Sequence, residues 1–388
     1  MNKRSPLKKI FVNRKKYPVN AFFTSGLLKS RDTKISLYNL FLKNRTPVNE
    51  LNYKKFRNCF NKTVRAAKKL YFNEKIDKNS DPKSSWRFLK EATGLNSFNK
   101  SQIHNIAQNG VSFTDGESIA NIFNDFFASV TDGIVKDIPP SSTHFNQYLN
   151  VNNTSSFSFQ PVDSAKIEKI IKDLESKPSL DINGVSTSLL KKCAPSLLLP
   201  ITHIVNLSLT EGFFPDSLKV SRVCPIFKQG SREDPNNYRP ISCLPVFSKI
   251  FEKVVYNQLF EFLTSNSILN PNQFGFQPNK STVHPLLHIL NYIADAFSNN
   301  KFVVAVFLDL RKAFDMVSHE IILSKLRSIG VDDIVISWFR SYLSDRKMYT
   351  MVNGHLSKSY RTLIRSVPQG SILGPLLFLI FINDIVTG

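Results

Sequence analysis

Residues 303–319, VVAVFLDLRKAFDMVSH, run from an apolar stretch into two carboxylates, Asp309 and Asp315. An ionised carboxylate is costly to bury without a partner, so a strand that ends on Asp309 must aim that acid at something. A carboxylate at a strand end suits Mg²⁺, which prefers hard oxygen ligands and takes few protein groups; the plain alternative is a buried acid capping a neighbouring helix. Lys228 and Arg239 frame a polar loop, QGSREDPNNY. Two cations on a mobile hairpin suit a triphosphate, through the fork of Arg and the point charge of Lys; their plain alternative is solvated surface charge. Gly370, in Pro368-Gln369-Gly370, permits close backbone approach because it has no side chain, although the tripeptide alone is a weak turn signal. His284 and His288 stand four apart in HPLLH, without the Glu of a zinc-protease helix, and read as ordinary helix residues. The four cysteines, Cys59, Cys193, Cys224 and Cys243, have no metal-ligand spacing.

The elements that must position these groups are legible in outline. Tyr53, Phe56, Phe60, Val64, Ala67 and Tyr71 recur at spacings of three and four, which predicts a long helix packing that stripe on the globular body. Residues 76–160 are rich in Ser, Asn and Asp, hold only short periodic pieces such as the stretch around SIANIFNDFFASV, and read as a connector. Asp163 caps a predicted helix through Ile167, Ile170, Ile171 and Leu174. A further helix passes through Leu189 and Leu190, a strand covers 221–228, and helices cover 247–263, 283–298, 318–329 and 332–344. Gly330 is placed to end one of them. The Asp309 strand lies between them, and Asn353-Gly354 marks a hairpin. Strands and helices without regular alternation predict an α+β fold.

The 388 residues carry a net charge of +21, unevenly placed: residues 1–100 hold 25 Lys/Arg against 6 Asp/Glu, the rest 26 against 24. A basic block beside a near-neutral body is the footprint of a polyanion partner, with nucleic acid ahead of a membrane surface. Lys54, Lys55, Arg57, Lys62, Arg65, Lys68 and Lys69 lie mainly off the aromatic stripe and are predicted phosphate contacts, the plain alternative being a solvated charged face. Residues 1–20 read as a mobile basic arm, with nuclear localisation as one use. Scattered cysteines and no signal peptide predict an intracellular protein, nuclear or cytoplasmic and not secreted. The run ILGPLLFLIFI, 372–382, is too short to span a bilayer and is interrupted by Gly374-Pro375, so no membrane is expected as a partner.

Four stretches, PIFKQGSREDPNNYRPIS, NQFGFQPNKST, FLDLRKAFDMVSH and VPQGSILGPLLFLIFINDI, occur in the order of a reverse transcriptase and resemble non-LTR retrotransposons of the jockey group. Upstream, FFTSGLLKS, the basic helix and DINGVSTSLL resemble the segment joining endonuclease to polymerase in those elements. The resemblance implies right-hand polymerase architecture: a basic helical segment over 1–100, a connector over 101–160, fingers over 161–300 and an incomplete palm over 301–388. It implies RNA-directed DNA polymerase activity, moving a nucleotidyl group from a dNTP to a DNA primer 3′-hydroxyl on an RNA template. Such a transfer uses two Mg²⁺, with Mn²⁺ as a substitute. Asp309 is the implied catalytic metal ligand, with the Leu310 carbonyl as a second oxygen. Asp315 with His319 is expected to fix the following turn. Phe314 is implied to close off the sugar's 2′ side, Lys228 and Arg239 to meet the incoming nucleotide, and Gln369-Gly370 to read its sugar. Lys280 joins the basic residues of the first hundred as an implied nucleic-acid contact.

The sequence departs from the pattern at Gln277, where relatives usually carry Arg, at Ser366, where Gly commonly precedes Val367, and in FFTSG, which lacks the usual Trp. The family's other metal ligands come as an aromatic-Ala-Asp-Asp hairpin, and that tetrapeptide occurs nowhere in the sequence. Asp384 occupies a place the family does not use for metal. The expectation is therefore a polymerase truncated before its second catalytic strand, without the upstream endonuclease, extending no primer as written. Strand edges and apolar surface, parts of PLLFLIFI among them, are expected to be exposed. The alternative is a non-catalytic nucleic-acid-binding remnant. A mobile-intron maturase is disfavoured by the upstream segment.

Overall fold

The computed structural model describes residues 21–78, 82–92, 102–108, 110–139, 145–148, 155–177 and 179–385. The basic arm expected over 1–20 lies outside them. The chain divides into two compact units, 1–101 and 102–388.

The first unit contains helices α1 (Ser25–Lys43), α2 (Pro47–Asp77) and α3 (Pro82–Ala92). Thr46 opens α2, accepting from the Asn49 N–H at 3.3 Å, and Pro47 follows in the first turn, where its missing N–H costs nothing. The predicted stripe is present: Tyr53, Phe56, Val64, Ala67 and Tyr71 are half-buried and Phe60 is buried. Within this unit the stripe meets α1, with Tyr53 at 5.1 Å from Tyr38 and the Lys34 ammonium 4.6 Å above Phe60. A helical hairpin with a short connection satisfies the stripe locally.

The second unit begins with the hairpin β1 (Ile106–Gln108) and β2 (Val111–Phe113), followed by α4 (Gly116–Lys136). This corrects the predicted connector. Asp115 caps α4 through the Glu117 and Ser118 N–H groups, and Ile119, Ile122, Phe123 and Phe127 are buried in a core with Val223, Tyr238, Met348 and Val352. Then come α5 (Ser164–Asp173), α6 (Thr187–Glu211), β3 (Val220–Phe227), β4 (Tyr238–Cys243), α7 (Ser248–Ser265) and α8 (Val283–Ser298). The last elements are α9 (His319–Ser328), α10 (Asp333–Leu343), β5 (Arg346–Val352), β6 (His355–Leu356), β7 (Arg361–Leu363) and α11 (Leu373–Ile382). The sheet order is β4-β3-β5-β6, with β7 also on β5. β3 is antiparallel to β4 and parallel to β5, a mixed sheet as an α+β fold allows. Asn353 and Gly354 both take positive φ, 51° and 91°, the conformation of a tight hairpin turn.

The larger core lies between helices, around the fully buried Phe214, Ile250, Leu259, Trp338, Phe339 and Tyr342. α11 is buried among them through Leu376, Leu377, Leu379 and Ile380, so PLLFLIFI is not the exposed surface it was expected to be. α6 is long and apolar enough to cross a membrane, with a mean hydropathy of 1.3. Yet it buries Leu190, Ile201, Val205 and Leu209 in this core and contains Pro195 and Pro200, as a core helix can.

The apolar surface that is exposed lies elsewhere. No strand forms over 303–309. Phe302 is 100% exposed, Val304 88% and Phe307 86%, and the adjacent α8 buries only Ala296. An apolar run predicts a strand buried on both faces, but a strand exists only where its N–H and C=O groups have a ladder partner. None of the described strands pairs with this segment.

Candidate nucleotide-binding site

β3 and β4 form a hairpin whose ladder continues past β3, the Lys228 N–H donating to the Asn237 carbonyl at 2.8 Å. Ile226 stands opposite Arg239, so Arg239 and Lys228 are diagonal neighbours across the hairpin, both exposed. Tyr238 and Phe227, on the other face, anchor the hairpin in the α4 core.

Beneath the hairpin, three separate stretches of sequence are stitched together. The Ser366 N–H donates to the Val317 carbonyl and the Val367 N–H to the Phe314 carbonyl, each at 3.1 Å. The Gln369 side chain donates from Nε2 to Asp315 Oδ1 at 3.0 Å, and the Ser242 N–H donates to the Gln369 carbonyl at 2.8 Å. Gln369 is thus held from both sides, by the segment after Asp309 and by β4. Burial pushes the Asp315 carboxyl above its usual range, against the pull of Gln369 and Lys312. His319 does not join Asp315 in fixing the turn. Its Nε2 lies 2.9 Å from the Ser366 carbonyl, which requires the ring proton on Nε2, and burial lowers its pKa.

Gly370 has φ of +111°, and a Cβ there would lie 2.7 Å from the Ser242 carbonyl oxygen. Gly370→Ala is expected to cost about 1–3 kcal/mol through backbone strain alone and to push the loop away from β4. Chemical unfolding of the variant checks the first effect; amide exchange at Ser242 checks the second.

The remaining predicted residues are placed as follows. Asp309 is exposed and has no hydrogen-bond or ion-pair partner among the described residues; Leu310 is also exposed. Phe314 stacks on Phe378 at 4.8 Å and meets Phe276 edge-on at 5.6 Å, in an aromatic cluster at the margin of the core. The Lys280 ammonium donates to the Pro271 and Gln273 carbonyls at 3.2 and 2.9 Å, which closes a loop. In the first unit Lys54, Lys55, Lys62, Arg65 and Lys69 are exposed, whereas Arg57 and Lys68 are half-buried against Tyr53 and Phe72. Asp384 pairs with Lys325 at 2.5 Å.

Sequence reasoning missed Lys312 and Ser242. Lys312 adopts a positive φ of 52° and lies 5.2 Å from the Phe126 ring, within reach of the charges of Asp315, Asp234 and Lys228. Burial lowers its pKa while Asp315 raises it. The available signal was its position between the two acids of the 303–319 stretch. Among the described residues no three His, Cys, Asp or Glu side chains gather where they could hold a metal ion. A solitary exposed Asp309 does not make a two-metal site. A cleft of about 860 Å³ between α5 and α7, lined by Lys166, Lys169, Lys253 and Glu261, contains none of the predicted site residues.

Residues 226–388 match the family described as reverse transcriptase (RNA-dependent DNA polymerase). The chain is 35% identical over 237 residues to a probable RNA-directed DNA polymerase from transposon BS of Drosophila melanogaster, covering 59% of this chain and 25% of that protein. It is 28% identical over 242 residues to the RNA-directed DNA polymerase from mobile element jockey of the same species, covering 62% and 26%. A Popillia japonica protein, a retrovirus-related Pol polyprotein from type-1 retrotransposable element R2, is 28% identical over 184 residues, covering 47% and 25%. The chain spans about a quarter of the length of the curated relatives it matches.

Proposed function

We propose, from the premise that this chain carries the reverse-transcriptase region of a non-LTR retrotransposon, that its second unit binds the dNTP and the primer end in RNA-directed DNA synthesis. The observation that carries the reading is the junction at Gln369, where residues 314–319 and the 366–370 loop converge on β4 of the hairpin that carries Lys228 and Arg239. In this reading the β3–β4 hairpin is part of the fingers. Lys228, Arg239 and Lys312 hold the triphosphate, Gln369 and Gly370 lie along the sugar, and Phe314 limits its 2′ side. The sheet with α9 and α11 belongs to the palm.

The family generally uses divalent metal ions. Asp309 is the residue of this chain that would contribute to holding them, and the described residues do not complete the ligand set.

The first unit serves the same reading as a nucleic-acid grip. Lys62, Arg65 and Lys69 stand at i, i+3 and i+7, on one exposed face of α2 away from its aromatic stripe. Binding of a labelled primed RNA is followed by anisotropy over a range of salt. Affinity is expected to fall steeply as salt rises. The triple variant Lys62→Glu, Arg65→Glu, Lys69→Glu is expected to flatten the log–log slope by about 0.9 for each duplex phosphate that the helix no longer neutralises. Unchanged affinity and slope would remove the first unit from the proposal.

A second reading, a nucleic-acid-binding protein without catalysis, is favoured by one observation, the exposed and unpartnered Asp309. It predicts the same salt dependence but no dNTP incorporation under any supplementation of the chain.

A further inference from the structure

The face of the β3–β4 hairpin that bears Arg239 also bears two thiols. Alternation along β3 puts Arg222 and Cys224 opposite in direction to Val223, and the register sets Arg222 against Cys243 and Cys224 against Ile241. Cys224 and Cys243 are therefore diagonal neighbours on one face of an antiparallel pair, with their sulfurs near enough to interact. Both are partly accessible rather than sealed in the core. Arg222 stands beside both sulfurs. Its NH2 group donates to the Leu180 carbonyl at 2.5 Å, while its Nε is buried and has no hydrogen-bond partner. A buried guanidinium donor left open is costly, and an anionic sulfur beside it would satisfy it.

We propose that Cys224 and Cys243 are a peroxide-reactive thiol pair, with Cys243 as the attacking thiolate beside Arg222 and Cys224 as the resolving thiol.

The thiolate, not the thiol, is the nucleophile. The hydrogen bond from Cys224 holds Cys243 down to about 6, with Arg222 and Lys249 adding positive charge against the opposing effect of burial. The same hydrogen bond, together with burial, pushes Cys224 up. In the first step the Cys243 sulfur attacks one oxygen of hydrogen peroxide. An S–O bond forms, the O–O bond breaks, and hydroxide leaves to take a proton as water. Cys243 is then a sulfenic acid, oxidised by two electrons. In the second step the Cys224 sulfur attacks the Cys243 sulfur. The S–S bond forms, the S–O bond breaks, and hydroxide leaves with the Cys224 proton as a second water. Peroxide is reduced to two waters and the two thiols become one disulfide.

Cys243 is the last residue of β4. Closing the disulfide draws that strand end toward β3 and with it Ser242, whose N–H holds the Gln369 carbonyl. Oxidation therefore acts on the 366–370 loop.

The test uses the full chain. Iodoacetamide labelling of each cysteine is followed by mass spectrometry from pH 5 to 9, and a second sample is treated with hydrogen peroxide and digested without reduction. Labelling of Cys243 is expected to be half-maximal near pH 6, well below the roughly 8.5 of free cysteine run in parallel. Peroxide should yield a peptide linking Cys224 to Cys243 that dithiothreitol removes. Arg222→Gln should move the Cys243 midpoint upward, and Cys224→Ser should leave a dimedone-reactive sulfenic acid on Cys243. A Cys243 profile that tracks free cysteine would overturn the proposal, as would a Cys224–Cys243 link no more abundant than any other cysteine pair. Both of these results come from the unsubstituted protein, so they decide the proposal even where a variant fails to fold.

Discussion

Incubated with primed RNA, dNTPs and Mg²⁺ or Mn²⁺, the 388-residue chain is expected to incorporate no nucleotide above the level of its own Asp309→Asn variant. Two-metal transfer needs one ion at the attacking hydroxyl and one at the leaving pyrophosphate, held about 3.5–4 Å apart. Asp309 is an exposed carboxylate, no three His, Cys, Asp or Glu side chains gather among the described residues to hold an ion, and water competes freely for any ion it meets. Asp315 is not the missing ligand, because Gln369 already occupies it and burial favours its protonated form. Asp384 is paired with Lys325. The complementary experiment uses a longer element polypeptide that contains these residues and brings further carboxylates to Asp309. There, Asp309→Asn should lower incorporation by at least about 10³-fold, since a lost metal clamp removes several kcal/mol and each 1.36 kcal/mol is tenfold in rate. A rate within tenfold of the unsubstituted polypeptide would take Asp309 out of the chemistry. Incorporation by the 388-residue chain itself would show that a ligand set assembles on the nucleic acid.

The contrast between Gln369 and Asp309 separates what a sequence spells locally from what depends on a distant partner. Gln369-Gly370 and the Lys228–Arg239 loop are contiguous words whose local chemistry survives any packing: a positive φ, a hairpin, two cations. Helices with regular apolar spacing, α5, α7, α9 and α10, are equally local and appear where the spacing predicts them. A strand is a statement about its neighbour. Residues 303–309 carry every residue preference of a central strand, yet no described partner supplies the ladder, and the apolar side chains face water. α4 reads only as a short periodic piece, for a different reason. Its Asp115 cap and its Ile119, Ile122, Phe123 and Phe127 stripe were present, but lay inside a stretch whose Ser, Asn and Asp content reads as loop. The tie between Asp315 and Gln369 spans 54 residues, and no spacing rule reaches that far.

The buried end of α11 carries the second large prediction: Glu252→Ala should lower stability by about 2–5 kcal/mol, because several buried donors lose their acceptor at roughly 1–3 kcal/mol each. Glu252 is fully buried on α7. One carboxylate oxygen accepts from Ser248 Oγ at 2.5 Å, and the other from the Ile372 N–H at 2.7 Å and the Leu373 N–H at 3.3 Å. It therefore caps the N-terminus of α11, whose first N–H groups have no partner within the helix. Arg346, also buried, supplies the opposing charge. Alanine would leave the Ser248 hydroxyl and two backbone donors without their acceptor together. Burial raises the Glu252 pKa above its usual value, more than its partners lower it. The folded state thus binds a proton more readily than the unfolded chain. Stability of the unsubstituted protein carries a charge-burial cost that is absent below the unfolded value near 4.5 and grows as pH rises toward the folded one. Glu252→Gln keeps an acceptor oxygen and removes that charge, so its loss should be smaller than that of Ala and should shrink as pH rises from 4 to 7. Urea unfolding of the three proteins at pH 4, 5, 6 and 7 measures both trends. Equal losses for Ala and Gln at every pH would mean that neither an acceptor oxygen nor a charge at 252 holds the start of α11.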